Sequence, residues 1–334
     1  MPDKEFLILG KGLAGSVLAI KLAMAGRSFE IIHSEKEPCA SEKAAGLMNP
    51  VTGRRMALTW NFEAVWREAE QFYAAAYLFL KKAEGSFLVP RTIRKALFSI
   101  EEMNFLEAKS AWAGFGETIG IHAKTDSDPA LFSQTVGWAD TRTGYRLDAP
   151  AFLRACSEYF STRSLLSESE FRKENLKKLP DGWLFQGKTF RNVVSCLGLG
   201  CPWIAPELWP VKGQMFVLEG LPDWGTDVLK TAHFFIPEQG KGVLAGSTYE
   251  REFSHPEPDA EGFEGITGGV NPELLAAARI ADSWAGIRPT SKDRRPVIRE
   301  IQHALFAING LGTKGVSLAP YAAGTLLHTL ISRE

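Results

Sequence analysis

The feature that most constrains the fold is a glycine-rich turn between an apolar strand and an apolar helix near the start of the sequence. The pattern predicts a strand over residues 6–9, a glycine turn over 10–15, a helix over about 13–25 and a second strand over 29–33. A strand, a helix and a strand in this order form a βαβ unit. The chain is therefore expected to contain Rossmann-type α/β structure.

The turn itself reads GKGLAG and fits the G-x-G-x-x-G pattern of dinucleotide-binding proteins. Its glycines allow a tight turn, close approach of the backbone to a pyrophosphate, and close packing of the helix on the strand. The helix N-terminus adds N–H groups and partial positive charge. We expect a dinucleotide to contact Gly10, Gly12, Leu13, Ala14 and Gly15. The alternative is an incidental glycine turn.

The second strand departs from the usual pattern at its end. An acidic residue normally binds the adenosine ribose about twenty positions past the glycines, but His33 stands there and Glu35 follows two residues later on the same side. Either Glu35 or His33 is expected to contact the ribose. A strand-end histidine without such a role is an equal alternative for His33.

The rest of the sequence alternates between helical and strand patterns. Helices are predicted from Asn61, as N-cap, to about residue 85, from Asp148 and Pro150 onward, over about 271–280, and at the C-terminal end. Strands are predicted within 87–100 and 136–147, beside a hairpin at 180–182, and at 193–197, 215–218, 234–236, 243–245 and 305–308. This order predicts a nucleotide-binding domain with a parallel sheet, interleaved with a smaller α+β domain with an antiparallel sheet.

Composition and charge exclude several classes of function. The sequence has 334 residues, 45% apolar and 23% charged, with a net charge of −1 and scattered basic residues, so neither nucleic acid nor anionic lipid is an expected partner. Its four cysteines form no C-x-x-C pair, which disfavours disulfides and metal sites. No apolar run approaches the roughly 20 residues of a membrane span, and the first apolar stretch is unlike a signal peptide. We therefore expect a cytoplasmic protein.

Four segments, in order, resemble the FAD-dependent D-amino acid oxidase family, which includes glycine oxidase and sarcosine oxidase. They are the glycine turn, residues 41–50 (SEKAAGLMNP), residues 284–298 (WAGIRP followed by DRRPVI), and residues 309–320 (NGLGTKGVSLAP). Residues 211–214 (VKGQ) are similar to the strand that crosses between the family's domains. The resemblance implies an FAD-binding domain of residues 1–50, 148–211 and 286–334, and a substrate domain of residues 51–147 and 212–285.

The resemblance also implies the cofactor and its contacts. FAD is expected to bind without a covalent bond, since the terminal flavin segment has no cysteine. The helix after that segment would present its positive end to the flavin. Lys314 is expected to influence reactivity with oxygen there, or else to be a solvated lysine at a helix start. The expected flavin contacts beyond the glycine turn are Ala44, Ala45, Gly46, Leu47, Gly198, Arg288, Gly310, Gly312, Thr313, Lys314 and Gly315.

The family's chemistry is hydride transfer to flavin from the carbon next to the amine of a small amino acid or secondary amine. Arg288 in its Gly-Ile-Arg-Pro context matches the family's carboxylate-binding arginine, with a structural ion pair as the alternative. Arg54 or Arg55 is a candidate second anion contact. The tyrosine that glycine oxidase-like members carry before a proline is missing from residues 233–237 (HFFIP), and Tyr249 is the candidate replacement.

Two other readings stay open. One is the tRNA-modifying branch, whose FAD domain acts on an aminomethyl group of a wobble uridine and which the absence of a basic patch disfavours. The other is a flavin-binding protein without catalysis, which the histidine at position 33 and the missing tyrosine favour. Oxygen and a quinone both remain candidate electron acceptors. The sequence leaves open the identity and chirality of the substrate, and the oligomeric state.

Overall fold

The computed structural model describes residues 2–34, 39–53, 55–112 and 114–332. The strands are β1 (Lys4–Leu9), β2 (Phe29–His33), β3 (Leu47–Met48), β4 (Val51–Thr52), β5 (Ala57–Leu58), β6 (Leu88–Leu97), β7 (Ile119–Ala123), β8 (Gly137–Leu147), β9 (Leu166–Glu168), β10 (Lys177–Leu179), β11 (Gly182–Phe185), β12 (Lys188–Ser195), β13 (Leu208–Glu219), β14 (Val228–Lys230), β15 (Phe234–Glu238), β16 (Gly242–Gly246), β17 (Arg279–Ser291), β18 (Val297–Gln302) and β19 (Leu305–Asn309). The helices are α1 (Leu13–Met24), α2 (Phe62–Lys81), α3 (Ile100–Lys109), α4 (Phe115–Thr118), α5 (Ala149–Thr162), α6 (Ala260–Thr267), α7 (Pro272–Ala277) and α8 (Gly315–Ile331).

The first sheet has a parallel centre in the order β9, β2, β1, β12, β19. Strand β18 extends it antiparallel to β19, and the β10–β11 hairpin pairs with β12. Along β1, Phe6 and Ile8 pack into the core that contains α1, α2, α5 and α8, while Leu7 and Leu9 pack into the core on the other face. Burial on both faces explains why the strand reads as a continuous apolar run. The predicted βαβ unit is confirmed.

The second sheet runs in the order β17, β13, β16, β15, β14, β6, β8, β3, with β7 also pairing with β8. Its pairs are antiparallel except for the parallel pair of β14 and β6. The long strands β13 and β17 place Val211 opposite Arg288 and Gly213 opposite Gly286. Each of the two sheets therefore takes its strands from separated parts of the sequence.

One local prediction was wrong, and a second, the N-cap at Asn61, is confirmed in position but not in its side-chain hydrogen bond. The predicted helix over 271–280 ends at Ala277, and Ile280 lies in β17 opposite Leu218 of β13. Strand pairing with a distant segment therefore decided the conformation at Ile280, rather than the local helical periodicity. Asn61 precedes α2 but has a left-handed backbone (φ 50°) and makes no side-chain capping bond. Asp148 does cap α5, since its carboxylate accepts a hydrogen bond from Ala151 N at 2.9 Å.

Candidate functional site

The glycine turn between β1 and α1 leaves no room for side chains at two of its glycines. Gly10 has a φ of 98°, and a Cβ there would lie 2.7 Å from the carbonyl oxygen of Cys196. A Cβ on Gly15 would lie 1.9 Å from the carbonyl oxygen of Gly10. The backbone of α1 therefore packs directly against the end of β1. This geometry fits a pyrophosphate-binding turn.

The N-termini of two helices meet at this turn. Gly12 caps α1 without a side-chain hydrogen bond, and Leu13 N donates to Ser41 Oγ at 2.9 Å. A Cβ on Gly315, the first residue of α8, would lie 3.6 Å from Leu13 Cδ2, the side chain of the first residue of α1. The first turns of α1 and α8, which include Ala14, are thus adjacent, and each contributes the partial positive charge of a helix N-terminus.

Residues 41–50 form a loop held against the second sheet. Gly46 has a φ of 77°, and a Cβ there would lie 2.0 Å from the carbonyl oxygen of Leu147. Trp284 Nε1 donates to the carbonyl oxygen of Lys43 at 3.1 Å. Ala45 is buried, Ala44 and Leu47 are half-buried, and Leu47 pairs with Arg146 of β8. The loop predicted to contact the flavin therefore lies between the glycine turn and β17.

Three of the predicted glycines cluster at the ends of β12, β17 and β19. Gly198 (φ 58°) accepts a hydrogen bond at its carbonyl oxygen from Asn309 Nδ2 at 2.8 Å, and a Cβ there would lie 3.6 Å from Pro289 Cγ. Gly310 has a φ of 69°, and a Cβ there would lie 3.0 Å from Ser291 Cβ. Gly312 has a φ of 52°, and a Cβ there would lie 3.2 Å from Thr290 Cγ2. The structure thus brings together the carboxyl ends of these strands, where nucleotide ligands bind in open α/β sheets.

Lys314 precedes α8 and is half-buried, whereas its neighbour Thr313 is exposed. Its amine donates to the carbonyl oxygen of Asn49 at 3.0 Å, which connects the start of α8 to the end of loop 41–50. Burial, together with the smaller effect of the positive charges of Lys230 and Arg294, lowers the pKa of Lys314 to about 7. The alternative of a solvated lysine is wrong, because the side chain bonds to a segment 265 residues away in sequence.

Arg288 lies on β17, half-buried, with its guanidinium against the bare backbone of Gly213. Nη2 donates to Ser247 Oγ at 2.7 Å and Nη1 donates to the carbonyl oxygen of Thr248 at 3.3 Å. Within the part of the chain that the structure describes, Arg288 has no carboxylate partner. Burial lowers its pKa to about 10, although the nearby Tyr249 and Glu250 act in the opposite direction. A guanidinium bonded only to neutral oxygens can still bind an anion.

A polar network lies behind Arg288 on β13. Gln214 N donates to Thr248 Oγ1 at 2.9 Å, and Gln214 Nε2 donates to Asp259 at 2.9 Å. Lys212, 1% exposed, donates to the same carboxylate at 2.9 Å and thereby holds the pKa of Asp259 well below its usual range. The segment similar to the crossing strand therefore supports the backbone that Arg288 contacts.

Tyr249 and His233 lie on either side of Ser247 and Thr248. Tyr249 is 42% exposed, and the guanidinium of Arg294 lies 5.9 Å from its ring centroid. His233 bonds through Nδ1 to the carbonyl oxygen of Ser247 at 3.1 Å, and burial lowers its pKa. The segment 233–237, which lacks the family's tyrosine, therefore contacts Ser247, a partner of Arg288, through the imidazole of its first residue His233.

A cavity of about 1170 Å³ is lined by Thr231 and Ala232, the two residues before His233. It extends from Asn49, at the end of loop 41–50, past the end of β14 to α3. Its apolar lining includes Val51, Ile93, Phe98 and Phe105, and its charged lining includes Arg55, Lys95, Lys230, Glu101 and Glu102. Arg55, the neighbour of the predicted contact Arg54, is thus a cavity residue.

Two predicted contacts, Glu35 and Arg54, lie outside the described residues. His33 is half-buried at the end of β2, and its carbonyl oxygen accepts a hydrogen bond from Ser169 N at 2.8 Å. Which residue contacts the ribose therefore stays a prediction.

Sequence reasoning missed Ser247, Gln214 and Lys230. Ser247 lies two residues before Tyr249, and no local signal in the sequence indicates that a serine will face an arginine 41 residues later. Lys230 is the last residue of β14, a strand of three residues that is too short to predict.

The described residues contain neither a helix suited to span a membrane nor a group of side chains suited to bind a metal ion. None of the helices described is long and apolar enough to cross a membrane. Over the same residues, no group of three or more His, Cys, Asp or Glu side chains is arranged to bind a metal ion.

The proteins to which the sequence is similar include a tRNA-biosynthesis protein and a glycine oxidase. The "tRNA 5-methylaminomethyl-2-thiouridine biosynthesis bifunctional protein MnmC" of Caulobacter vibrioides is 27% identical over 97% of this chain and 54% of its own length. The glycine oxidase of Bacillus subtilis is 22% identical over 99% of this chain and 93% of its own length. The chain thus spans about half the length of the tRNA-biosynthesis relative.

Solved structures agree on the fold. The glycine oxidase of Geobacillus kaustophilus superposes with a TM-score of 0.80 at 20% identity, covering 100% of this chain and 96% of that one. The profile of the DAO family, described as FAD dependent oxidoreductase, matches residues 5–328. The chain therefore belongs to the DAO family of FAD-dependent oxidoreductases.

Proposed function

We propose that this FAD-dependent oxidoreductase oxidises the carbon next to the amine of a small amino acid or secondary amine. The observation that carries the proposal is Arg288, whose guanidinium is bonded to Ser247 and Thr248 but to no described carboxylate. A half-buried cation without an anionic partner is costly unless a ligand supplies the charge. A substrate carboxylate would do so through two parallel hydrogen bonds.

The residues present fit FAD. Gly10 and Gly15 allow the backbone to approach a pyrophosphate, and the N-termini of α1 and α8 supply positive potential beside them. Loop 41–50 and the turn over residues 309–315 would hold the flavin, with Lys314 fixed to Asn49 O between them. When bound, FAD supplies the hydride acceptor. The protein's own part is to position the substrate and to exclude water.

Replacing Arg288 tests this proposal. Arg288→Ala should raise the KM for an amino acid substrate at least about tenfold, because it removes charge-assisted hydrogen bonds, while the flavin absorbance of the purified protein stays unchanged. Arg279→Ala, at the exposed start of the same strand, is the matched control. An unchanged KM in the Arg288 variant would remove this residue from the substrate site.

The substrate class is tested by adding glycine, sarcosine, proline and D-amino acids to the oxidised protein without oxygen. Bleaching of the flavin bands by one of them identifies the class. If no compound bleaches the flavin and photoreduced flavin is not reoxidised by oxygen or a quinone analogue, the protein binds flavin without catalysis.

Precipitation in mild acid should leave the flavin in solution, as expected for non-covalent FAD.

A second candidate function follows from the tRNA-biosynthesis relative, whose similarity covers 97% of this chain. In that case the oxidised amine would be part of a modified uridine. Binding of tRNA that weakens steeply between 50 and 200 mM salt, as expected when roughly six or more phosphates are contacted, would favour this candidate. The net charge of −1 favours the small-molecule substrate.

A further inference from the structure

Arg288 reaches its hydrogen-bond partners by crossing a neighbouring strand. Strand β13 lies between β17, which carries Arg288, and β16, after which Ser247 and Thr248 follow. The guanidinium passes over Gly213 of β13, where a Cβ would lie 1.9 Å from Nη2, and bonds to Ser247 Oγ and the carbonyl oxygen of Thr248. The place of the guanidinium therefore depends on how the chain after β16 is held against β13.

Hydrogen bonds from β13 hold the residues that follow β16. Gln214 N donates to Thr248 Oγ1 at 2.9 Å. Lys212 N donates to the carbonyl oxygen of Glu250 at 2.9 Å, and Glu250 N donates to that of Lys212 at 3.0 Å. Thr248 thus accepts one hydrogen bond from Gln214 through its hydroxyl and one from Arg288 through its carbonyl oxygen.

The side chain of Gln214 joins β13 to helix α6. Gln214 Oε1 accepts from Asp259 N at 2.8 Å, and Nε2 donates to Asp259 Oδ2 at 2.9 Å. Asp259 in turn caps α6, since its Oδ1 accepts from Gly262 N at 2.8 Å. Helix α6 can approach this closely because a Cβ on Gly262 would lie 2.3 Å from Gln214 Oε1. The N–H donor and the carboxylate acceptor permit only one orientation of the amide.

The network is buried behind the strand that Arg288 crosses. Lys212 and Gln214 are each 1% exposed, and Lys212 Nζ donates to Asp259 Oδ2 at 2.9 Å. Alternation along β13 places these two side chains on one face and the side-chain position of Gly213 on the other. The network therefore lies on the opposite face of β13 from the guanidinium of Arg288.

The network also engages a carboxylate whose charge acts on Arg288. Glu250 acts to raise the pKa of Arg288, yet over the described residues no hydrogen bond or ion pair joins the two side chains. The Glu250 carboxylate instead accepts from Gln214 Nε2 at 3.0 Å and lies 3.6 Å from Lys212 Nζ. The guanidinium thus stays available for an anion from outside the chain.

We propose that Gln214 is a positioning residue for Arg288. It holds Thr248 and Glu250 against β13 and thereby sets the place of the acceptors that orient the guanidinium toward a substrate carboxylate. Such control matters because a misplacement of about 1 Å can cost up to roughly a hundredfold in rate. The inference rests on the proposed function, in which Arg288 binds that carboxylate.

The test compares acetate with acetamide, which has nearly the same shape but no charge. Their dissociation constants for the holoenzyme are measured from the change in flavin absorbance, or from the shift in Tm where the absorbance does not change. The wild type should bind acetate at least about tenfold more tightly than acetamide, as expected for hydrogen bonds to a charged group. The same measurement is made on Gln214→Met, in which the amide is replaced by an apolar group of similar size.

Gln214→Met should weaken the binding of acetate at least about tenfold and change that of acetamide less than about threefold, with FAD retained. In an Arg288→Ala background the same change should have no further effect on acetate, because a positioning residue acts only through the residue that it positions. Asn271→Ala, which removes the side-chain cap of α7, is the control for lost stability and should bind both compounds as the wild type does.

A second pair of variants tests the connection to Thr248 without changing Gln214. Thr248→Val removes the hydroxyl that accepts from Gln214 N and should weaken acetate binding as Gln214→Met does. Thr248→Ser keeps a hydroxyl and should restore most of the affinity. Equal affinity for acetate in the valine and serine variants would overturn the proposal even if Gln214→Met did not fold.

The remaining outcomes separate this inference from the proposed function. If Arg288→Ala abolishes the preference for acetate but Gln214→Met keeps it, or loses acetate and acetamide equally, the positioning role is overturned and the proposed function stands. A full effect of Gln214→Met in the Arg288→Ala background has the same meaning. A wild type without a preference for acetate, or an Arg288→Ala protein that keeps it, would refute the proposed role of Arg288 and the positioning role with it.

Discussion

At the scale of single residues, Arg288 shows what the sequence can and cannot predict. Its Gly-Ile-Arg-Pro context predicted a carboxylate-binding arginine from four neighbouring letters. Its actual partners, Ser247 and Thr248, lie 41 and 40 residues away, respectively, and meet it only because β13 lies between β16 and β17. The guanidinium fits because Gly213 has no side chain. In the sequence, Gly213 is distinguished only as part of the segment similar to the crossing strand.

Gly213→Ala should displace the guanidinium of Arg288. A Cβ at this position would lie 1.9 Å from Nη2, and the flexible side chain would have to move away from Ser247. Misplacement of a binding group by about 1 Å can cost up to roughly a hundredfold in rate, so we expect kcat/KM to fall at least about tenfold with FAD still bound. Gly265→Ala, where nothing lies within 4 Å of the added Cβ, is the control. Equal activity of the two variants would contradict this account.

Lys314 should make stability depend on pH. Its pKa is lowered from 10.5 to about 7 in the folded protein, so the unfolded chain binds more protons between these values. Stability therefore rises with pH across this window, and the contribution is lost in Lys314→Met. Urea unfolding of the apoprotein should show that the free energy of unfolding of the wild type, relative to that of this variant, is larger at pH 9 than at pH 7. A constant difference between the two proteins would rule out the lowered pKa.

At the scale of elements, local patterns succeeded where neighbours in sequence decide the structure. The first strand, the glycine turn and α1 follow from the spacing of apolar residues and glycines, and α1 ends at Met24, one residue before the predicted end. The helix predicted over 271–280 failed because β13 pairs with β17 from a distance. The helix α3, which forms part of the cavity wall, was missed for a different reason, since its own sequence has only a weak apolar stripe.

Gly15→Ala should separate α1 from β1. The added Cβ would lie 1.9 Å from the carbonyl oxygen of Gly10, a backbone atom that cannot rotate away. Overpacking of this kind costs about 1–3 kcal/mol, and we expect the purified protein to retain less FAD per chain. Gly269→Ala adds a Cβ with nothing within 4 Å and should retain FAD as the wild type does. Full FAD content in Gly15→Ala would mean that this contact does not shape the cofactor site.

At the scale of the whole molecule, the elements proposed to hold FAD come from distant parts of the sequence. The glycine turn, loop 41–50 and the turn before α8 meet only when both sheets are complete. The family resemblance anticipated this meeting because its segments run from one end of the sequence to the other. The spacing of residues alone does not predict that these three segments meet. No sequence motif indicates the contacts of Lys230 or the cavity that it lines.

FAD should therefore stabilise the folded protein as a whole. A ligand that binds only the folded state adds about 2.7 kcal/mol at one hundred times its Kd. Removing FAD should lower the Tm, and adding it back should restore the Tm in proportion to the logarithm of its concentration. FMN, which lacks the adenosine half and the pyrophosphate, is the matched control ligand. An equal effect of FMN and FAD would show that the glycine turn does not contribute to binding.

The meeting of the first turns of α1 and α8 also has a consequence for ionic strength. Part of the positive potential beside the glycine turn comes from peptide dipoles fixed in the backbone, whereas that at Arg288 and at Lys230, which lines the cavity, comes from side-chain charges. Dissolved ions largely screen the attraction between exposed charges that lie more than about 8–10 Å apart at ordinary ionic strength, and they screen buried groups much less. Salt should thus weaken the capture of an anionic substrate well before it loosens the cofactor, so the same molecule would keep its flavin while losing its affinity for what the flavin oxidises.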